Sequence, residues 1–199
     1  FLLALAGITR IHVSTESITN FDSESDVRKG FEVVNERLGG ANHFYIVIEG
    51  SHRDAFKDPG NLGILKDLQA WLEQQPEVGS TISLADYVML INQAFNENDP
   101  DFYRIPESKR LITQLLFLSA NEDLERIVDA RYKTTNIVVR SRVINSDDMT
   151  ALIARINRRL AELPDHLEPA VTGNPVLISE TLTDIIVGQA RSVGLALIF

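Results

Sequence analysis

The chain has 199 residues, 44% of them hydrophobic and 24% charged, which is ordinary for a globular protein and long enough to bury a core. Its 28 acidic residues outnumber 19 basic ones, for a formal net charge of −9, a balance that repels nucleic acid and anionic lipid surfaces. The absence of cysteine excludes disulfides, zinc ribbons and a thiol nucleophile.

In chain order, residues 1–8 read FLLALAGI, with no charge, and residues 193–199 read VGLALIF, with no polar side chain. Neither approaches the ~20 apolar residues that span a bilayer. Each suits a buried terminal element or the cut end of a membrane span. No basic stretch precedes the first run, so it does not read as a signal peptide. Ile11 and Val13 then alternate with Arg10 and His12, as in a short strand. The spacing of Val27, Phe31, Val34 and Leu38 predicts a helix over 23–38, stopped by Gly39 and Gly40. Residues 42–49 hold the run His43-Phe44-Tyr45-Ile46-Val47-Ile48, whose β-branched and aromatic content predicts a central strand.

Asp58-Pro59 has the form of a helix N-cap followed by proline at the first turn. Ile64, Leu65, Leu68, Trp71 and Leu72 would be its buried stripe, and Pro76 its end. Residues 78–82 alternate as a second strand. Residues 135–143 alternate most clearly, with Ile137, Val139, Ser141 and Val143 on one face. Ser146 then caps a helix with Asp147 and Asp148 in its first turn and a stripe of Met149, Leu152, Ile153, Ile156, Leu160 and Leu163. Residues 168–172 form the last strand. Strand–helix–strand thus occurs twice. Two such units side by side make an α+β, ferredoxin-like split βαβ domain, with one antiparallel sheet and both helices on one face. Its expected core is Ile46, Val47, Ile48, Leu65, Leu68, Trp71, Ile137, Val139, Leu152, Ile153 and Ile156.

Residues 83–131 interrupt this pattern with a helical insert, far longer than the usual connection of about 4–6 residues. Ser83-Leu84-Ala85-Asp86 has the capping-box form. Leu84, Val88, Ile91 and Phe95 follow at helical spacing. The polar stretch NENDPDFYR (96–104) precedes a second helix opened by Pro106, and a shorter amphipathic stretch over 122–128 leads back to the sheet.

A search for catalytic constellations finds none. His12, His43, His52 and His166 share no metal-ligand spacing. NENDPD lacks the turn glycine and the bidentate Glu of a calcium loop. PGNLG (59–63) is followed by no Gly-Lys-Ser/Thr. Ser14, Ser17, Ser23, Ser25 and Ser51 lie in no nucleophile elbow. Asp22, Glu24 and Asp26 suit a helix start. The expectation is a chain that is not an enzyme and carries no cofactor or metal.

The stretches SESDVRKGFEVVNERLGG (23–40), SLADYVMLINQAFNENDPDFYRIPESKRLITQLLFL (83–118), YKTTNIVVRSRV (132–143) and TGNPVLISETLTDIIVGQARSVGLALIF (172–199) together resemble RND exporters of the MMPL class. These are relatives of Patched-like sterol proteins and of bacterial lipid and hopanoid exporters. The resemblance runs along essentially the whole chain and lies in the order of the motifs. It implies an extracytoplasmic loop, most similar to the first, between two membrane helices of a proton-driven exporter in a bacterial inner membrane. Residues 1–8 and 176–199 would then be membrane-helix ends, and 9–175 a periplasmic porter-like domain containing the insert. The implied partners are a hydrophobic or lipid-like substrate, the sister loop and the membrane helices of the same protein. The family's proton-relay acids lie in membrane helices outside this chain, so none is carried over. Oligomeric state and cargo stay open.

On that reading the insert lines a hydrophobic path, with Leu84, Val88, Ile91, Phe95, Phe102, Tyr103, Leu111, Leu115 and Phe117 as candidates. The competing expectations are that these stripes pack on the exposed sheet face or make a small core of their own, or that they meet the partner loop of the full protein. A rival reading of the whole chain is a soluble ferredoxin-like module that binds a small molecule or regulates a partner.

Overall fold

The computed structural model describes residues 21–178 and, outside them, positions 18, 181, 185, 188, 189 and 192. The strand expected over 10–14, the segment 1–8 and most of 179–199 lie outside the described residues.

Strand β1 (Asn42–Gly50) is the centre of a four-stranded sheet. Its side chains alternate between a buried set, Phe44, Ile46 and Ile48, and a half-exposed set that includes Tyr45 and Val47. β3 (Thr134–Ser141) and β4 (Leu167–Thr172) flank it, both antiparallel, with Ile46 opposite Ile137 on one side and Val171 on the other. β2 (Val78–Ile82) pairs antiparallel with the outer side of β3. The order β2-β3-β1-β4 is that of the ferredoxin-like split βαβ fold, in which each crossover leaves room for one strand between the two it joins.

The two crossover helices share one face of the sheet. α2 (Pro59–Glu73) starts where Asp58 accepts from the Gly60 amide at 2.9 Å and Pro59 occupies the first turn. It buries Leu62, Leu65, Leu68 and Leu72. α6 (Ser146–Leu160) buries Met149, Leu152, Ile153, Ile156 and Leu160. Its cap is Asn145 rather than Ser146: the Asn145 backbone is extended and its side chain accepts from the Asp148 amide at 2.8 Å. These side chains form one cluster with Phe44, Ile46, Ile48, Ile137 and Val139. Each is worth roughly 1.5–3 kcal/mol of burial. Val47 and Trp71, expected in that core, depart from it. Strand alternation turns Val47 to the open face, and Trp71 packs only partly buried at the cluster's edge.

α1 (Asp26–Arg37) forms where its spacing predicts, capped by the Ser25 side chain, but buries no residue. Val27 and Leu38, at the ends of its apolar stripe, are 56% and 57% exposed. The turn that follows explains the glycines. Gly39 and Gly40 have φ of 78° and 125°, and the turn presses against β2 and β3. A Cβ on Gly40 would meet the Ser141 backbone, and one on Gly79 would meet the Gly39 carbonyl. Gly79 also sits where the β2–β3 register shifts.

The insert occupies the place of the β2–β3 hairpin. It runs through α3 (Leu84–Phe95), a 3-10 turn (Pro100–Phe102), α4 (Lys109–Leu118) and the short α5 (Glu122–Glu125). Its buried residues join the main core rather than making a second one. α4 begins after Ser108, not at Pro106: the Ser108 side chain accepts from the Leu111 amide, and Pro106 is buried in the preceding connection.

Leu68→Ala and Ile153→Ala should each lose about 2–5 kcal/mol of stability in urea unfolding. Gly79→Ala should lose about 1–3 kcal/mol from overpacking. Val47→Ala, on the open face, should lose less than about 1 kcal/mol. A Val47 variant as damaging as Leu68→Ala would contradict the assignment of the faces.

Candidate ligand cleft

The insert departs from the core through a buried polar joint. Ser83, fully buried, caps α3 by accepting from the Ala85 amide at 3.1 Å, and the Ser83 amide donates to Asp86 Oδ2 at 2.9 Å. The same carboxylate accepts from Gln69 Nε2 at 2.5 Å and from Lys66 Nζ at 2.7 Å. Ser83 Oγ donates to Gln69 Oε1 at 2.8 Å, and Gln69 Nε2 also reaches Thr81 Oγ1 at 3.0 Å. Thr81 Oγ1 in turn donates to Glu73 at 2.6 Å. The capping box read from the sequence is thus one corner of a network that fastens α3 to α2. Gln69, at the centre, is only 1% exposed and spends both ends of its amide inside the network.

From that joint α3 and α4 run antiparallel. Tyr87 Oη, near the start of α3, donates to the Ser119 carbonyl at the end of α4 at 2.6 Å. At their other end the connection 96–108 folds over the gap. Glu97 and Asn98 take positive φ, near 60°, to reverse the chain, and the Asp99 side chain accepts from the Asp101 amide to start the 3-10 turn. The buried Asn92 ties down this connection: its Nδ2 donates to the carbonyls of Phe102 at 2.8 Å and Arg104 at 3.1 Å.

Between the two helices and the connection lies an open cleft of about 520 Å³. Its apolar surface comes from Phe95, Phe102, Leu111, Leu115 and Leu118, and its polar rim includes Asn96, Arg104, Glu107 and Gln114. The size lies within the ~300–1,000 Å³ range of small-molecule sites. Phe95, Leu111 and Leu118 are 55%, 40% and 64% exposed, so the apolar wall faces solvent.

The nine residues predicted to line a path therefore divide. Phe95, Phe102, Leu111 and Leu115 line the cleft, with Leu115 as its floor. Leu84, Val88 and Ile91 belong to the sealed core. Tyr103 and Phe117 are exposed but do not line the cleft. Leu118 and Ile105 line it without having been among the candidates; the seven-residue spacing of Leu118 from Leu111 was the available signal.

A second, smaller cleft of about 240 Å³ lies at the other end of the domain. Phe31 of α1, Met149 of α6, and Ile18, Pro175 and Ile178 line it. Among the described residues, no group of His, Asp and Glu is arranged to hold a metal, and no helix is long and apolar enough to cross a membrane.

Titration is perturbed at the edges of the insert. Partial burial works against the Lys66 ammonium, but the hydrogen bond and charge of Asp86, with Tyr103 and Glu73, outweigh it and raise its pKa above the ordinary 10.5. Lys57 hydrogen-bonds Asp54 at 2.7 Å and holds that carboxyl below its ordinary 3.8 against the opposing effect of burial, with the charges of Lys57, Arg53 and Lys109 adding to it. The Lys57 ammonium also lies 4.2 Å from the centre of the Tyr132 ring, whose hydroxyl is pushed up by burial and then by Tyr87 and Asp54.

No protein-family model matches the chain, and no curated protein matches it.

The Lys66 pKa is raised on folding, so its contribution to stability is complete below pH 10.5 and disappears as the pH climbs through the raised value. Unfolding of Lys66→Met should therefore differ from the parent by a constant amount from neutrality to pH ~9, and the difference should shrink at higher pH. A difference that persists unchanged at high alkaline pH would rule out the Lys66–Asp86 pair as its source. Asp54 works in the opposite sense: its contribution is present above pH 3.8 and is lost as the pH falls through its lowered pKa. Lys57→Met should move the Asp54 titration, followed by carboxyl NMR, back toward 3.8.

Proposed function

We propose that this chain is an extracytoplasmic loop domain of a proton-driven RND-type exporter of the MMPL class, and that it takes part in capturing and passing on a lipid or other hydrophobic substrate. The observation that carries the reading is the solvent-open apolar cleft of the insert. A helical excursion that served only as scaffold would bury its stripes. This one seals Leu84, Val88 and Ile91 yet leaves Phe95, Leu111 and Leu118 exposed along a single concave surface.

Two further features support it. Ile18 and Ile178 line one cleft, as two neighbouring membrane helices bracketing one loop require. The open face of the sheet carries Tyr45, Val47 and Val138, half-exposed, and Ile82, 47% exposed, which suits packing against a sister loop. In the exporter reading the domain lies in the periplasm and its flanking helices in the inner membrane. Its role is to shield an apolar substrate from water, while proton coupling belongs to the membrane helices.

Binding of a hydrophobic fluorescent dye to the 199-residue chain tests the cleft. Phe95→Ser with Phe102→Ser should weaken binding about tenfold or more, because each ring contributes apolar contact worth over ~1 kcal/mol. Leu90→Ser removes a side chain that is 58% exposed but outside the cleft, and should leave binding as it was. Equal binding by the parent and the double variant would reduce the insert to scaffold.

A further inference from the structure

We infer that the insert cleft takes a single-chain amphiphile with an anionic head group, its hydrocarbon chain along Phe95, Leu111, Leu115 and Leu118 and its head at Arg104. The inference rests on the reading of the cleft as a lipid site and adds the charge and form of the ligand. Size selects a chain. The cleft follows α4, a ten-residue helix about 15 Å long, and encloses about 520 Å³. A partner helix, about 10–12 Å across with its side chains, does not fit into it. One extended alkyl chain lies along it with its side against the exposed apolar wall.

Charge selects the head. Arg104 lies in the lining at the Phe102 end. Its side chain makes no ion pair among the described residues, and its guanidinium stands 5.9 Å from the centre of the Phe102 ring. Its backbone is fixed from below, through the hydrogen bond from Asn92 to its carbonyl, so the guanidinium projects from an anchored base. Lys109 and Arg110, in the first turn of α4, stand outside the lining, so Arg104 is the cation that faces the cleft. Glu107 is the opposing charge in the lining. Glu97, Asp99 and Asp101 belong to the same connection but do not line the cleft. The chain as a whole carries −9 and opposes an anion at long range. Salt screens that field within about 8–10 Å, whereas a head group in contact with Arg104 feels the guanidinium directly. A fork of donors matches a carboxylate or a phosphate in two parallel hydrogen bonds, which an alcohol or an amine head does not offer.

The test compares four ligands of one chain length on the 199-residue chain: dodecanoate, dodecyl phosphate, dodecan-1-ol and dodecylamine, each below its micellar concentration. At least one of the two anions should bind about fivefold tighter than the alcohol, and the amine should bind weakest. The tighter of the two anions identifies the head as carboxylate or phosphate. Arg104→Ala should bring the anions down to the level of the alcohol, and added salt should narrow the same gap in the parent. Equal affinity for all four heads overturns the inference and leaves the lipid cleft standing. Tightest binding by the amine, lost in Glu107→Gln, overturns it in favour of a cationic ligand. Failure of all four to bind, together with dye binding that Phe95→Ser leaves unchanged, removes the lipid cleft itself.

Discussion

The Asp86 carboxylate holds the insert to the rest of the molecule. One oxygen accepts from Lys66, the other from Gln69 and from the Ser83 amide. Gln69 then carries the connection to Thr81 and Ser83, so β2, α2 and α3 meet at a single buried point. Such a network is stable only when its members are satisfied together, since a buried donor or acceptor left alone costs about 1–3 kcal/mol. The network ties the start of α3 to α2. Beyond the joint, Leu84 and Val88 are sealed in the core.

A fixed α3 in turn allows the cleft to stay open. α4 is held at one end by Tyr87 and at the other by the Asn92-anchored connection, and packs through Ile112, Leu115 and Leu116. The remaining apolar residues of α4, Leu111, Phe117 and Leu118, stay exposed. Their exposure is therefore not a sign of loose packing. It is the outer half of a helix whose inner half, Ile112, Leu115 and Leu116, is already packed.

The opposite end of the domain has a different physical character. α1 makes few polar contacts with the sheet end, through Asn35 to the Arg142 carbonyl at 3.4 Å and Arg140 to the Leu38 carbonyl at 3.2 Å, and is pinned by the glycine contacts at its C-terminal turn. It meets Ile18 and Ile178 in the smaller cleft. The insert cleft and the smaller cleft are thus carried at separate places on one sheet, with the βαβ core between them.

Period and punctuation were legible without any structure. Strand alternation at 135–143 and the stripe from Met149 to Leu160 identify the second βαβ unit. Asp58-Pro59 and the Ser83–Asp86 box locate two helix starts, because caps and short periods are local properties of the backbone. The expectation of an α+β split βαβ fold with a helical insert follows from their order, and the sheet order agrees. Local sequence did not reveal which of several apolar residues the insert would seal. Leu84 and Phe95 belong to the same periodic stripe, yet one is fully buried and the other 55% exposed. The stripe outruns the surface against which it packs: Leu84 and Val88 are sealed in the core, whereas Phe95 lines the cleft beside the 96–108 connection. The role of Gln69 was equally hidden, since a glutamine in a helix reads as solvated until residues 12 to 17 positions away close around it. Secondary structure and topology were thus determined by the sequence through short-range rules. The cleft, its open apolar wall and the guanidinium at its mouth were decided only when distant segments came together, because each is a property of the space between elements.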